Sequence, residues 1–220
     1  ADPNLPTLTE YFDYSCHACA DLDSVLGEDL TTWASEGHYN LELQPVITVN
    51  MDYLKPATGA SLVVAQKAPD KWVEFHHALL AYFRTQFQAG NGTVVQNLDA
   101  SWKQVKQIAT EVGVPADVIA TFPVNAVEPY LEASSNSWKN ASVDGREPNK
   151  LGTPELVKDH STLVTLTNDP ESMRAAIKEL FGFSDSVTPL VDPTSAPAAT
   201  EPSQSGDGQS QSEGTTTSSN

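Results

Sequence analysis

The sequence predicts an α/β fold interrupted by an all-helical insertion and followed by a disordered C-terminal tail. Three observations carry this expectation. The chain opens as strand, CxxC, helix and strand; its middle reads as helices only; after Gly145 it returns to two strands and a helix. The expected division places residues 1–52 and 143–183 in one α/β body, 53–142 in the helical insertion and 184–220 in the tail.

Residues 7–14, "TLTEYFDY", alternate and carry aromatic side chains, the pattern of a strand that ends at the cysteines. From Cys19 to about Trp33, Leu22, Val25, Leu26, Leu30 and Trp33 recur at helical spacing, and Gly37 suits the stop. "YNLELQPVITVN" is expected as a second strand with Leu41, Leu43 and Val46 inward. Within "DKWVEFHHALLAYF", Trp72, Phe75, His76, Leu79 and Phe83 form a helical stripe. Asp99 is placed to cap "ASWKQVKQIATEV", which Gly113 stops. Asn125 and Glu128 resemble a capping box for "AVEPYLEASSNSW", with Pro129 early in it. "GTPELVKD" and "STLVTLT" read as two strands turning at Asp159-His160. Asp169-Pro170 opens a last helix with Met173, Ile177, Leu180 and Phe181 inward, closed by Gly182.

A net charge of −17 argues against nucleic acid and anionic membrane surfaces as partners, because both require clustered Lys and Arg. No apolar run approaches the roughly 20 residues of a membrane span. The opening Ala1-Asp2-Pro3 is read as a mature or trimmed form, with any signal or anchor segment outside it. From Ser184 to Asn220 there is no Lys, Arg, Trp, Tyr or Phe. Such a segment buries too little apolar surface to offset its ordering entropy, so it is expected as a solvated tail, with an anchoring or wall-spanning spacer as the sharper alternative.

Cys16 and Cys19 are the chain's 2 cysteines. Their spacing serves three chemistries. A structural zinc site normally takes four protein ligands; these supply two, His17 sits between them, and His38, His76, His77 and His160 lie scattered without ligand spacing. An inert disulfide across so short a loop stabilises little. A redox dithiol has the physical support. Between a strand and a helix, the first sulfur meets unpaired N–H groups and the helix dipole, which favour a thiolate, and the second lies one turn later.

Four features give the chain its resemblance to the DsbA-like thiol:disulfide oxidoreductases of the thioredoxin superfamily. They are "CHAC" after an aromatic-rich strand; Glu10, six residues before Cys16; Gly152-Thr153-Pro154 opening the late strand; and the helical block with "WVEFHHALL". The resemblance spans about residues 5–183 and departs in two ways. His17-Ala18 stands where such sites often have Pro-His, and only about six residues precede the CxxC strand, leaving little room for the strand that usually comes first.

The resemblance implies a thioredoxin fold and a secreted bacterial enzyme, expected to be an oxidase that donates a Cys16–Cys19 disulfide to exported proteins. Cys16 would be the exposed nucleophile, Cys19 the buried resolving thiol, Glu10 a buried acid exchanging a proton with Cys19, and His17 an imidazolium stabilising the Cys16 thiolate. Gly152, Thr153 and a cis Pro154 would bind the substrate strand. Asp13, Asp21 and Asp23 would either solvate the surface or oppose the thiolate. No cofactor and no metal is implied. The partners would be unfolded or partly folded exported proteins with free thiols and a quinone-linked membrane reoxidase of the DsbB or vitamin K epoxide reductase type. A reductase or isomerase on the same fold, or a binding module whose CxxC is structural or metal-binding, stands as the alternative.

Overall fold

The structure, a computed structural model, describes residues 1–123, 127–147 and 149–184. The expectations placed on Asn125 and on the tail beyond Ser184 lie outside the described residues. A four-stranded sheet of order β2-β1-β3-β4 holds β1 (Thr7–Phe12) at an inner position. β2 (Asn40–Pro45) runs parallel to β1, β3 (Glu155–Lys158) antiparallel to it, and β4 (Thr162–Leu163) antiparallel to β3. Leu8 through Phe12 are all buried, as an inner strand covered on both faces requires. The register sets Glu10 between Leu43 of β2 and Leu156 of β3.

Parallel pairing of β1 with β2 needs a crossover, which α1 (His17–Leu22), a π-turn (Asp23–Gly27) and α2 (Glu28–Ser35) supply. The sequence spacing implied one regular helix with Val25 inward. Leu22, Leu26, Leu30 and Trp33 are buried, but Val25 is 36% exposed. The wider π-turn carries one extra residue and rotates Val25 out of the stripe. Gly27, at the end of the turn, leaves room for the Asp23 carboxylate: a Cβ there would stand 2.3 Å from Asp23 Oδ1.

The helical block consists of α3 (Leu54–Lys67), α4 (Pro69–Gln88), α5 (Leu98–Glu111), α6 (Ala116–Ile119) and α7 (Glu128–Asn140). It packs in one core with the redox motif: Phe12, Cys16 and Cys19 share a cluster with Phe75, Leu79 and Phe83 of α4. The cap of α5 is Asn97 rather than the expected Asp99. Asn97 has the extended backbone a cap needs and accepts the Ala100 N–H at 2.8 Å, whereas Asp99 already lies in the first turn.

β3 and β4 are shorter than "GTPELVKD" and "STLVTLT" implied. The Gly152-Thr153-Pro154 stretch precedes β3 as a loop, and Asp144 meets the other edge of β4, its N–H donating to the Ser161 carbonyl and its carbonyl accepting the Leu163 N–H. Asp159 and His160 turn the hairpin with φ of 48° and 55°, and the Ser161 N–H closes the turn onto the Lys158 carbonyl at 3.0 Å, with Lys158 paired to Thr162. α8 (Pro170–Phe181) is capped by Asp169, which accepts the Ser172 N–H at 3.0 Å, and ends at left-handed Gly182. Among the described residues no helix is long and apolar enough to cross a membrane.

Candidate active site

Cys16 is the N-cap of α1. Its backbone is extended, with φ −95° and ψ 118°, and its carbonyl accepts the Ala20 N–H at 3.2 Å. That geometry turns the sulfur onto the open first turn of the helix. The Cys16 pKa falls to about 6. The largest cause is hydrogen bonding from the Cys19 thiol, against which burial works; the Thr153 side chain and the backbone N–H groups of Cys19 and Ala18 lower it further. Cys19 is pushed the other way, well above the ordinary thiol range, first by burial and then by Cys16. Both are free thiols. Cys16 is less open than expected of an exposed nucleophile: its accessibility is 5%, against 0% for Cys19. The loop before β3 covers it.

In that loop the Thr153–Pro154 peptide is cis. The Cys16 thiol donates to the Thr153 carbonyl at 3.4 Å. The Thr153 and Thr48 hydroxyls share a hydrogen bond of 2.7 Å. Among the described residues nothing accepts the Thr153 N–H. Among the described residues nothing beyond its chain neighbours lies within 4 Å of where a Gly152 Cβ would stand, so open space adjoins the loop.

Asp13 emerges as the residue that assembles this corner. It is fully buried, so it neither solvates the surface nor stands as a free charge. One oxygen accepts from Ser15 N at 2.7 Å and Ser15 Oγ at 2.6 Å; the other accepts from Thr48 N and Val49 N, each at 2.9 Å. Its carbonyl accepts the Cys16 N–H at 2.9 Å. Asp13 therefore ties the approach to the CxxC to the 48–50 loop, and Thr48 passes the tie to Thr153. The legible signal was Asp-x-Ser after a strand, the pattern of an Asx-turn. Of the other two acids, Asp21 pairs with Arg84 at 2.7 Å and Asp23 with His77 at 2.6 Å.

Glu10 is buried on β1, and burial, with a smaller push from the Asp23 charge, raises its pKa to about 8. It therefore holds a proton at neutral pH. His17 is exposed, and its ring lies on Phe87. It is not among the groups that lower Cys16. His76 is a core residue: it packs edge-on against Phe12 and meets the Tyr14 hydroxyl at 2.8 Å, and burial lowers its pKa to about 4.

No family model and no curated protein matches the sequence. Solved structures do. The MdbA thiol-disulfide oxidoreductase of Actinomyces oris superposes with a TM-score of 0.65 at 23% identity, covering 81% of this chain and 80% of that one. MdbA of Corynebacterium diphtheriae gives 0.59 at 17% identity over 80% and 85%. BdbD of Bacillus subtilis, in its oxidised form, gives 0.58 at 16% identity over 83% and 90%. The chain has the DsbA-like thioredoxin fold.

Proposed function

We propose that the protein is a secreted thiol:disulfide oxidoreductase acting as an oxidase on exported proteins. The observation that carries this reading is the asymmetry of the dithiol. Cys16 has a depressed pKa at a helix N-terminus against Thr153, while Cys19 is sealed behind it with a raised one. A stabilised thiolate favours the dithiol over the disulfide, which makes the disulfide oxidising. Its size follows from the pKa. At pH 7, a pKa of about 6 in place of 9.0 favours the reduced form by roughly one power of ten, or about 30 mV in a two-electron couple.

The reaction runs by thiolate exchange. A substrate thiolate attacks Cys16 Sγ of the disulfide and expels Cys19 as a thiolate, which takes a proton from Glu10. A second substrate thiolate then attacks the substrate sulfur of the mixed disulfide. The substrate disulfide forms, Cys16 leaves as the thiolate favoured by the helix end, and the protein retains two electrons. A quinone-linked membrane protein would remove them. The Thr153 N–H, which no described residue accepts, and the space beside Gly152 suit an extended substrate backbone. Exposed Val49, Phe87 and Leu151 come from the three segments around the dithiol, the kind of apolar rim an unfolded chain contacts.

The test is equilibration in glutathione buffers together with oxidative refolding of a reduced, unfolded model protein. An oxidase gives a potential well above that of thioredoxin, about −270 mV, and forms substrate disulfides stoichiometrically without added oxidant. A potential at or below that value would reverse the direction assigned.

A further inference from the structure

Apart from the dithiol, three side chains of metal-ligating type converge from distant parts of the sequence: Asp23 on the π-turn, and His76 and His77 on α4. Asp23 Oδ1 lies 2.6 Å from His77 Nδ1 and 4.0 Å from His76 Nε2. The surrounding hydrogen bonds decide which nitrogen of His76 is bare. Trp72 Nε1–H donates to Ser61 Oγ at 3.0 Å, and the Tyr14 hydroxyl donates to the same oxygen at 2.9 Å. With its proton committed there, Tyr14 accepts, and the partner at 2.8 Å is His76 Nδ1–H. His76 Nε2 is then a lone pair. It is turned toward a carboxylate oxygen at a distance too long for a hydrogen bond, on a ring that is 2% exposed.

We infer that Asp23, His76 and His77 form a binding site for a divalent transition cation of the zinc type. Two facing Lewis bases in a buried position are what a cation would join. Two imidazoles and one carboxylate suit zinc and its neighbours, not calcium or magnesium, which take oxygen. Bonds of ~2.1 Å at a tetrahedral angle hold their donor atoms roughly 3.4 Å apart. The 4.0 Å gap therefore closes and the 2.6 Å contact opens, each by less than about an ångström, which small side-chain rotations supply. Tyr14 plays the outer role that metal-bound histidines require, holding the second ring nitrogen and fixing the tautomer. Gly27 leaves the room that Asp23 occupies, since a Cβ would lie 2.9 Å from His77 Cε1 as well as against the carboxylate. A cleft of about 500 Å³, lined by Asp23, Ser24, Glu28 and His77, gives the fourth position access to water. The arrangement is independent of the oxidoreductase reading and requires no catalytic role for the metal.

Cobalt(II) titration of the fully oxidised protein tests it, because Cys16 and Cys19 in a disulfide offer no thiolate. Binding is expected at one cobalt per chain, with the visible absorption of a four-coordinate nitrogen and oxygen site, and with displacement by zinc. His77→Gln, at a half-exposed position that leaves the core intact, should weaken binding at least about tenfold, and Tyr14→Phe by about tenfold with the spectrum retained. Circular dichroism checks that each variant is folded, and zinc should raise the melting temperature of the parent but not of His77→Gln. If the oxidised protein takes up no cobalt at sub-millimolar concentration, or if His77→Gln binds as tightly as the parent, the Asp23–His77 contact is a hydrogen bond only and the site is refuted.

Discussion

His17 lies face to face on Phe87, with ring centroids 4.5 Å apart and 7° between the planes. The stack supplies the immobility that a charge-stabilising imidazole would need, but it holds the ring against α4 rather than against a solvent-shielded sulfur. Cys16 is instead lowered by Cys19, by Thr153 and by the N–H groups of the helix end. Those donors act at contact distance, and an exposed imidazole acts through water.

His17→Ala is therefore expected to raise the Cys16 pKa by no more than about one unit, making the potential roughly 20 mV more negative at pH 7. The pH profile of iodoacetamide alkylation measures the first and glutathione equilibration the second. A rise of about three units, back to an ordinary thiol, would transfer the thiolate's stability from the helix end to His17.

Asp13→Ala removes the acceptor for backbone N–H groups of Ser15, Thr48 and Val49 at a fully buried position. Stranded donors are costly, so the loss should be about 3 kcal/mol in urea unfolding. The same variant should slow exchange at Cys16, because Thr48 no longer steadies Thr153. Asp13→Asn keeps one acceptor oxygen and should lose less of both. Equal stability in the parent and Asp13→Ala would show that water replaces the carboxylate.

Arg146 and Glu155 form an ion pair with side chains only 8% and 7% exposed, at the start of β3 and so next to the cis-proline loop. Arg146 also caps α7 by donating to the carbonyls of Trp138 and Ala141. Removing one member of a buried pair leaves the other uncompensated, so Arg146→Ala should cost about 3 kcal/mol. Adding Glu155→Leu should recover part of this but not all, because Trp138 Nε1–H then loses its acceptor. A double-mutant cycle by denaturant unfolding gives both quantities; full additivity would show that the pair contributes no coupling.

What the sequence made legible was whatever repeats locally. Alternation marked β1, the spacing of Leu22, Leu26, Leu30 and Trp33 marked the crossover, and Asp169, Pro170 and Gly182 bounded α8. Asp13 could not be read as a bracket, because its partners Thr48 and Val49 arrive by a turn that no periodicity announces. The π-turn was hidden because Leu22, Leu26, Leu30 and Trp33 keep a helical spacing across it, and only Val25 falls out of the stripe. Asp99 looked like a cap by position, but Asn97 has the backbone for it. His76 and His77 gave no ligand spacing with any other residue; only the packing of α4 on the π-turn brings Asp23 to them.

Glu10 carries the sharpest pH test. An acid confined in a core is costly, and its pKa of about 8 states how costly: the folded chain keeps a proton that the unfolded chain releases near 4.5. Across that window the folded state binds more protons, so stability falls by about 1.4 kcal/mol per pH unit. Glu10's contribution is therefore full below pH 4.5, is lost as pH rises to about 8, and changes no further above it. Glu10→Gln keeps the shape and removes the titration. Its stability relative to the parent should climb from acid to alkaline pH, by on the order of 5 kcal/mol overall, and flatten past pH 8. Other carboxylates cancel in that difference, because both proteins have them. The same variant also separates cost from use. If Glu10 passes its proton to Cys19, Glu10→Gln should be more stable at pH 8 yet slower to expel Cys19 from the Cys16–Cys19 disulfide as the mixed disulfide forms, with the deficit largest near neutrality, where the acid is still protonated. A stability difference that stays flat between pH 5 and pH 8 would mean that Glu10 is ionised throughout, and with no proton to give it would have no part in the exchange.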